Sequence, residues 1–258
     1  MIKKLLLSTA FCILNLYSFA QIQVEGPDEK MNLVKLNLFS LTVKTLSLQY
    51  ERPLNKRISA AVGFRYMPKS SLPMETTFTD LADDEDLTRQ ISGFKTGNIA
   101  ITPEIRFYLG KKGEMRGFYI APFVRYTSFS AELPYEFDIE TEDPITGEFQ
   151  SSTETINLSG NLNTITGGIL LGTQWKLSKS LYLDWWIFGP QYGSSSGKID
   201  GKKTLTLEEQ DALREQLTDL DDLPLVKTTS SVNGNGAQVK FTGPWAGLRT
   251  GLTIGFNF

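Results

Sequence analysis

Apolar and polar residues alternate one for one along most of this chain. A strand sends successive side chains to opposite faces, so each alternating stretch predicts a strand with one apolar and one polar face. Eight such stretches stand out. Asn32–Phe39 sets Val34, Leu36 and Leu38 against Lys35 and Asn37. Thr45–Arg52 sets Leu46, Leu48 and Tyr50 against Ser47, Gln49 and Glu51. Ile58–Met67 sets Val62, Phe64 and Tyr66 against Ala61, Gly63 and Arg65. Gly97–Leu109 sets Ile99, Ile101, Ile105 and Phe107 against Ala100, Thr102, Glu104 and Arg106. Gly117–Ser130 sets Phe118, Ile120, Val124 and Tyr126 against Ala121, Arg125 and Thr127. Asn161–Leu177 sets Ile165, Ile169, Leu171 and Trp175 against Gly168, Gly172, Gln174 and Lys176. Leu181–Tyr192 sets Leu183, Trp185 and Ile187 against Tyr182, Asp184 and Trp186. Trp245–Phe258 closes the series, with Leu252, Ile254, Phe256 and Phe258 opposite Gly251, Thr253, Gly255 and Asn257. Tyr119, Phe123, Leu170 and Phe188 break the alternation and are expected to fill a packed interior.

The connections add a second regularity. Pro53–Arg57, Gly110–Arg116 and Ser178–Ser180 are short. On the other side of the strands, Phe39–Lys44 is short but Pro68–Thr96, Glu132–Ser159 and Gly193–Pro244 are long. An even strand count with short turns on one side and long loops on the other is the pattern of a bacterial outer-membrane barrel. Period two alone does not say which face points inward, since a soluble lipocalin-type barrel alternates equally. Three features favour the inverted arrangement. The polar face carries many small residues (Ala61, Gly63, Ala121, Gly168, Gly172, Gly247, Gly251 and Gly255), which suit a narrow interior. The apolar face is bulky, with Tyr66, Tyr126, Trp175 and Trp245 near strand ends like interfacial girdles. The closing strand stops on an aromatic residue. The expectation is therefore all-β: an eight-stranded antiparallel transmembrane β-barrel with long extracellular loops and one short loop helix. Its partners would be outer-membrane lipid and lipopolysaccharide, together with a barrel assembly machinery reading Gly251, Ile254, Phe256 and Phe258. The outer loops would hold a protein partner or another surface ligand.

The start of the chain fits export. Lys3-Lys4, an apolar run from Leu5 to Phe19 and Ser18-Phe19-Ala20 before Gln21 read as a leader of residues 1–20. Residues 21–31 would form a periplasmic segment and 32–258 the barrel. No small residue precedes Cys12 as a lipoprotein cleavage site needs, so lipid anchoring is not expected. Cys12 is the only cysteine and histidine is absent. The mature chain would then lack the usual general base and the usual ligands of zinc, copper and iron sites. No cofactor, no metal and no enzymatic activity are expected.

Charge changes the picture further. Losing Lys3 and Lys4 from 26 basic residues leaves 24 against 29 acidic, a net of −5. Glu132, Glu136, Asp138, Glu140, Glu142, Asp143, Glu148 and Glu154 fall in one loop without a Lys or Arg, and Asp80, Asp83, Asp84, Glu85 and Asp86 in another. Neither cluster has calcium-loop spacing; both read as solvated charge, and neither suits nucleic acid. In Gly193–Pro244, Thr206 with Glu209 predicts a capping box on a helix with Leu213, Leu217 and Leu220 along one face. The polar strand faces bring together Lys35, Glu51, Arg65, Glu104, Arg106, Arg125, Lys176, Asp184 and Arg249. Six are basic and three acidic, so a net positive interior is expected, with Glu104 pairing to Arg106, Arg125 or Arg65. The group reads as a plug of ion pairs, or else as the lining of a small gated anion-preferring channel.

Ile101-Thr102-Pro103-Glu104-Ile105-Arg106-Phe107-Tyr108-Leu109 and Gly117-Phe118-Tyr119-Ile120-Ala121-Pro122-Phe123-Val124-Arg125-Tyr126 carry a likeness to known proteins. With Asn32-Leu33-Val34-Lys35-Leu36-Asn37 and the Arg249–Gly255 ending, the chain resembles a family of small outer-membrane barrels of the Bacteroidetes group that has no established function. The resemblance covers nearly all of the mature chain and implies fold and location. It supplies no functional residue.

Overall fold

The computed structural model describes residues 32–72, 88, 92–142, 149–218 and 226–258. The expected leader, residues 21–31, Asp80, Asp83, Asp84, Glu85, Asp86, Asp143, Glu148 and Leu220 lie outside them. The strands are β1 (Leu33–Asn37), β2 (Leu46–Pro53), β3 (Ile58–Ser71), β4 (Lys95–Tyr108), β5 (Gly117–Glu142), β6 (Phe149–Lys176), β7 (Leu181–Lys202), β8 (Lys227–Asn233) and β9 (Gly236–Asn257). Helices α1 (Leu38–Thr42) and α2 (Leu207–Thr218) interrupt them. β1 to β7 pair in chain order, β9 lies beside β7, and β9 pairs back to β1, all antiparallel. The sheet thus closes into a ring of eight strands, each bound on both sides.

The ring is strongly staggered. From Leu33 the pairing runs through Glu51, Ala61, Glu104, Phe123, Gly168 and Gln191 to Gly247. Leu33 itself pairs with Asn257, ten residues further along β9. With strand rise and spacing of about 3.3 and 4.8 Å, that stagger over the circuit tilts the strands by about 40°.

Burial follows the alternation closely. On β2, Leu46, Leu48 and Tyr50 are exposed while Ser47, Gln49 and Glu51 are buried. On β4, Ile99, Ile101, Ile105 and Phe107 are exposed, while Ala100, Thr102, Glu104, Arg106 and Tyr108 are buried. The polar parity faces inward and the apolar parity outward, the reverse of a soluble protein. Tyr119, Phe123 and Leu170 fill the interior as expected, with Leu33, Tyr108, Met115, Ala121, Tyr182 and Trp186.

Several expectations need correction. A register shift in β7 between Trp186 and Gly189 reverses its phase, so Phe188 points outward at 50% exposure instead of filling the interior. Trp245 lies on the inward parity and stacks on Phe129 rather than joining an outer girdle. β1 ends at Asn37 and does not reach Phe39. The Asn37 side chain accepts from the Ser40 amide at 3.3 Å and caps α1. Two of the long connections are partly strand. β5 and β6 stay paired out to Glu142 and Phe149, and β7 and β9 out to Lys202 and Gly236. Ser194-Ser195-Ser196-Gly197 shows why the pattern hid this: neither face there is apolar. β8 is a ninth strand outside the ring, paired to β9 from Thr242 to Gly236.

The expected helix is α2. Its capping box forms as drawn from sequence: the Thr206 amide donates to Glu209 Oε2 at 2.7 Å, and the Glu209 amide donates to Thr206 Oγ1 at 3.2 Å. Leu213 and Leu217 are buried against the extended end of the sheet. With Tyr135, Leu158, Ile199, Ala237 and Val239 they line an apolar cavity of about 130 Å³. Lys203 pins the helix start by reaching Glu154 at 2.7 Å and Glu209 at 3.0 Å. The Thr206 backbone N–H, then Lys203, hold the Glu209 carboxyl below its usual range. Between the β1 and β8 pairings, residues 243–252 of β9 have a strand partner on the β7 side only, among the described residues. Helix α1 packs beside that open stretch.

Candidate functional site: the charged interior of the ring

Arg106 on β4 is fully buried at the centre of the interior. Its Nε donates to Glu104 Oε1 at 2.6 Å. Nη1 donates to Asp184 Oδ2 at 2.7 Å, Gln174 Oε1 at 3.1 Å and Glu51 Oε2 at 3.2 Å. Nη2 donates to Gln49 Oε1 at 2.7 Å. The guanidinium plane lies 4.4 Å from the Tyr119 ring centroid, so even its face is occupied. Five strands contribute to this one cation, because alternate residues of every strand converge on the same narrow space.

The remaining groups close around it. Lys35 Nζ reaches Asp184 Oδ2 at 2.7 Å and Gln174 Oε1 at 2.5 Å, and it pairs with Glu51. Glu51 also accepts from Tyr108 at 2.7 Å and from Ser59. Asp184 accepts from Tyr119 at 2.7 Å and from Trp186 Nε1 at 3.0 Å. Glu104 accepts from Gln49 Nε2 at 3.0 Å and pairs with Arg249. Arg249 is sandwiched near Trp186 and Phe123, at 4.2 and 5.2 Å from their centroids. Lys35, Arg106 and Arg249 therefore balance Glu51, Glu104 and Asp184, with every carboxylate oxygen engaged.

The nine residues expected to form one charged group thus divide. Lys35, Glu51, Glu104, Arg106, Asp184 and Arg249 come together. Arg65 and Arg125 lie further toward the extended end of the ring, and half-buried Lys176 lies elsewhere, 5.9 Å from the Tyr182 ring centroid. Glu104 does pair with Arg106, but its second partner is Arg249 rather than Arg125 or Arg65. The interior keeps its excess of positive charge, but unevenly: a neutral cluster of six, with Arg65 and Arg125 beyond it. Sequence reasoning missed Gln49, Ser59, Tyr108 and Gln174 as members and took Tyr119 for a filler. All lie on the inward parity, so counting polar groups along with formal charges could have found them. The strand-end group lies as its alternation predicts: Ile254, Phe256 and Phe258 face outward, while Gly251 faces inward against Asn37.

Among the described residues no group of His, Cys, Asp and Glu could hold a metal ion, and no helix is long and apolar enough to cross a membrane. Fold and site define a class: a closed antiparallel ring, apolar outside, with a filled and ion-paired interior. Residues 9–189 match the family model described as Protein of unknown function (DUF3575), and the chain belongs to that family. This agrees with the expected membership of a family without established function. No curated protein matches the chain.

Proposed function

We propose that this chain is an eight-stranded outer-membrane β-barrel, non-enzymatic, that works as a rigid base for the surface end of the molecule. One observation carries the reading: large apolar side chains point outward from every strand of the closed ring. A belt of that extent exceeds what a soluble monomer exposes, and it is what a barrel needs to face hydrocarbon. The buried charges fit the same reading, since a lipocalin-like binder would place its apolar face inside. The neutral, ion-paired cluster closes the interior. The role left to the molecule is interaction through the extension built by β5, β6, β7, β8, β9 and α2, with lipopolysaccharide or a protein as partner.

The four tryptophans provide the test. Trp175 and Trp185 face outward, while Trp186 and Trp245 face inward. In single-tryptophan variants refolded into vesicles of chain-brominated lipid, emission from Trp175 and Trp185 should be quenched and that of the other two spared. Equal quenching of all four, or none, rejects the membrane reading. Arg65 and Arg125 favour the alternative, a small gated anion-preferring channel. Single-channel recording separates the two: a silent bilayer supports the closed base, and discrete anion-selective steps that change in Arg125→Gln support the channel.

A further inference from the structure

Two charges inside the ring have no counter-charge among the described residues. The carboxylate oxygens of Glu51, Glu104 and Asp184 are all taken by the cluster described above. Arg65 and Arg125 face the same interior nearer the extended end and are half-buried. Among the described residues Arg65 has no hydrogen-bond or ion-pair partner, and its Nε is buried. The Arg125 side chain has one, Thr102 Oγ1, at 2.9 Å from its Nε. Arg249 gives Nη1 to Glu104, but its Nε is also buried without a partner.

Register brings Arg65 and Arg125 near one another, on the side of the cluster where Arg249 lies. Arg65 pairs across to Ala100, and Ala100 to Thr127, two residues beyond Arg125 on β5. The charged groups acting on Arg125 are Arg249, Arg65 and Glu104. Side chains around them are small: Ala100, and Gly63, where an added Cβ would meet only ordinary contacts, 3.6 Å from Thr102. Toward the extended end, Phe129 and Trp245 meet across the ring with centroids 5.4 Å apart. An unpaired charge held out of bulk water is costly, and guanidinium forks match the oxygens of phosphate.

We infer that Arg65, Arg125 and Arg249 form a binding site for an oxyanion of the phosphate class, held between the neutral cluster and the Phe129–Trp245 pair. The inference goes beyond the display reading and needs only the ring, so it stands or falls separately from the membrane and conductance tests. The anion has two sources with one chemistry: free phosphate, or the phosphate headgroup of a lipid.

The test is thermal unfolding of the refolded protein in uncharged detergent, with folding checked by heat-shifted gel mobility. It is titrated with inorganic phosphate and, separately, with dodecyl phosphate, each against chloride at equal ionic strength. The expected result is a saturable rise in midpoint, with the half-saturating concentration raised about tenfold or more in Arg65→Gln and in Arg125→Gln. A rise with inorganic phosphate assigns the free anion, and a rise with dodecyl phosphate alone assigns the headgroup. No rise beyond chloride with either ligand, or a rise unchanged in both variants, overturns the site. If the glutamine variants do not fold, Arg65→Lys is read in their place. It keeps the charge and loses the fork, so weaker phosphate binding supports the site and unchanged binding overturns it.

Discussion

Arg106 shows how much one side chain in this molecule answers to others. Its partners come from β2, β4, β6 and β7, and Glu104 ties it onward to Arg249 on β9. Removing one member of a buried pair costs about 3–5 kcal/mol because the other charge is stranded. Glu104→Gln should therefore lower the unfolding free energy measured in urea by that order, since it strands Arg249 and takes one of the three carboxylates from Arg106. Adding Arg249→Met should recover part of the loss, and a double-mutant cycle on unfolding free energies measures the coupling. Additive losses would mean that Glu104 and Arg249 do not act as a pair. Membership of the interior was legible in sequence because parity along a strand is fixed. Partnership was not: Glu104 and Arg249 are 145 residues apart, and only the ten-residue stagger brings them to one height.

At the scale of elements, the regular strands were legible and their ends were not. The apolar alternation stops where the outer face stops being apolar, yet backbone pairing continues through Ser194–Lys202 opposite Gly236–Pro244. The shift between Trp186 and Gly189 leaves no mark in the alternation except Phe188, which the pattern alone does not distinguish from an interior filler. Helix α2 was legible because its signals are local: a capping box and a leucine stripe within a dozen residues. Thr206→Ala should weaken its start by about 1 kcal/mol, read as faster amide exchange in the first turn. Leu213→Ala should cost about 2–5 kcal/mol and loosen α2 from a sheet that already borders a cavity. Proteolysis within Leu207–Thr218 should rise while the unfolding midpoint of the ring stays unchanged. The Glu209 carboxyl is held low in the folded protein. Its contribution is thus present above the ordinary glutamate pKa of about 4.3 and lost as pH falls through the lower folded value. Protection factors of the α2 amides should drop over that acid range and not between pH 6 and 8.

As a whole the molecule is closed by very little. β1 meets β9 over five residue pairs, Leu33–Asn37 against Thr253–Asn257, whereas β5 and β6 stay paired from Gly117 to Glu142. Adjacent hairpins close short loops, while the β1–β9 seam joins positions at opposite ends of the chain, so loop entropy makes it the late contact. That seam delivers Lys35. Without it the cluster holds three carboxylates against Arg106 and Arg249 alone, so in an unzipped sheet the cluster carries an unanswered negative charge. Refolding of Lys35→Met, followed by gel mobility, should show slower conversion to the compact band than for Leu36→Met on the same strand. Equal rates would separate closure from charge. Strand β1 is thus a keyed clasp: the central cluster reaches electroneutrality in the step that shuts the ring, so a ring closed in the wrong register would carry the fault as uncancelled charge at its centre.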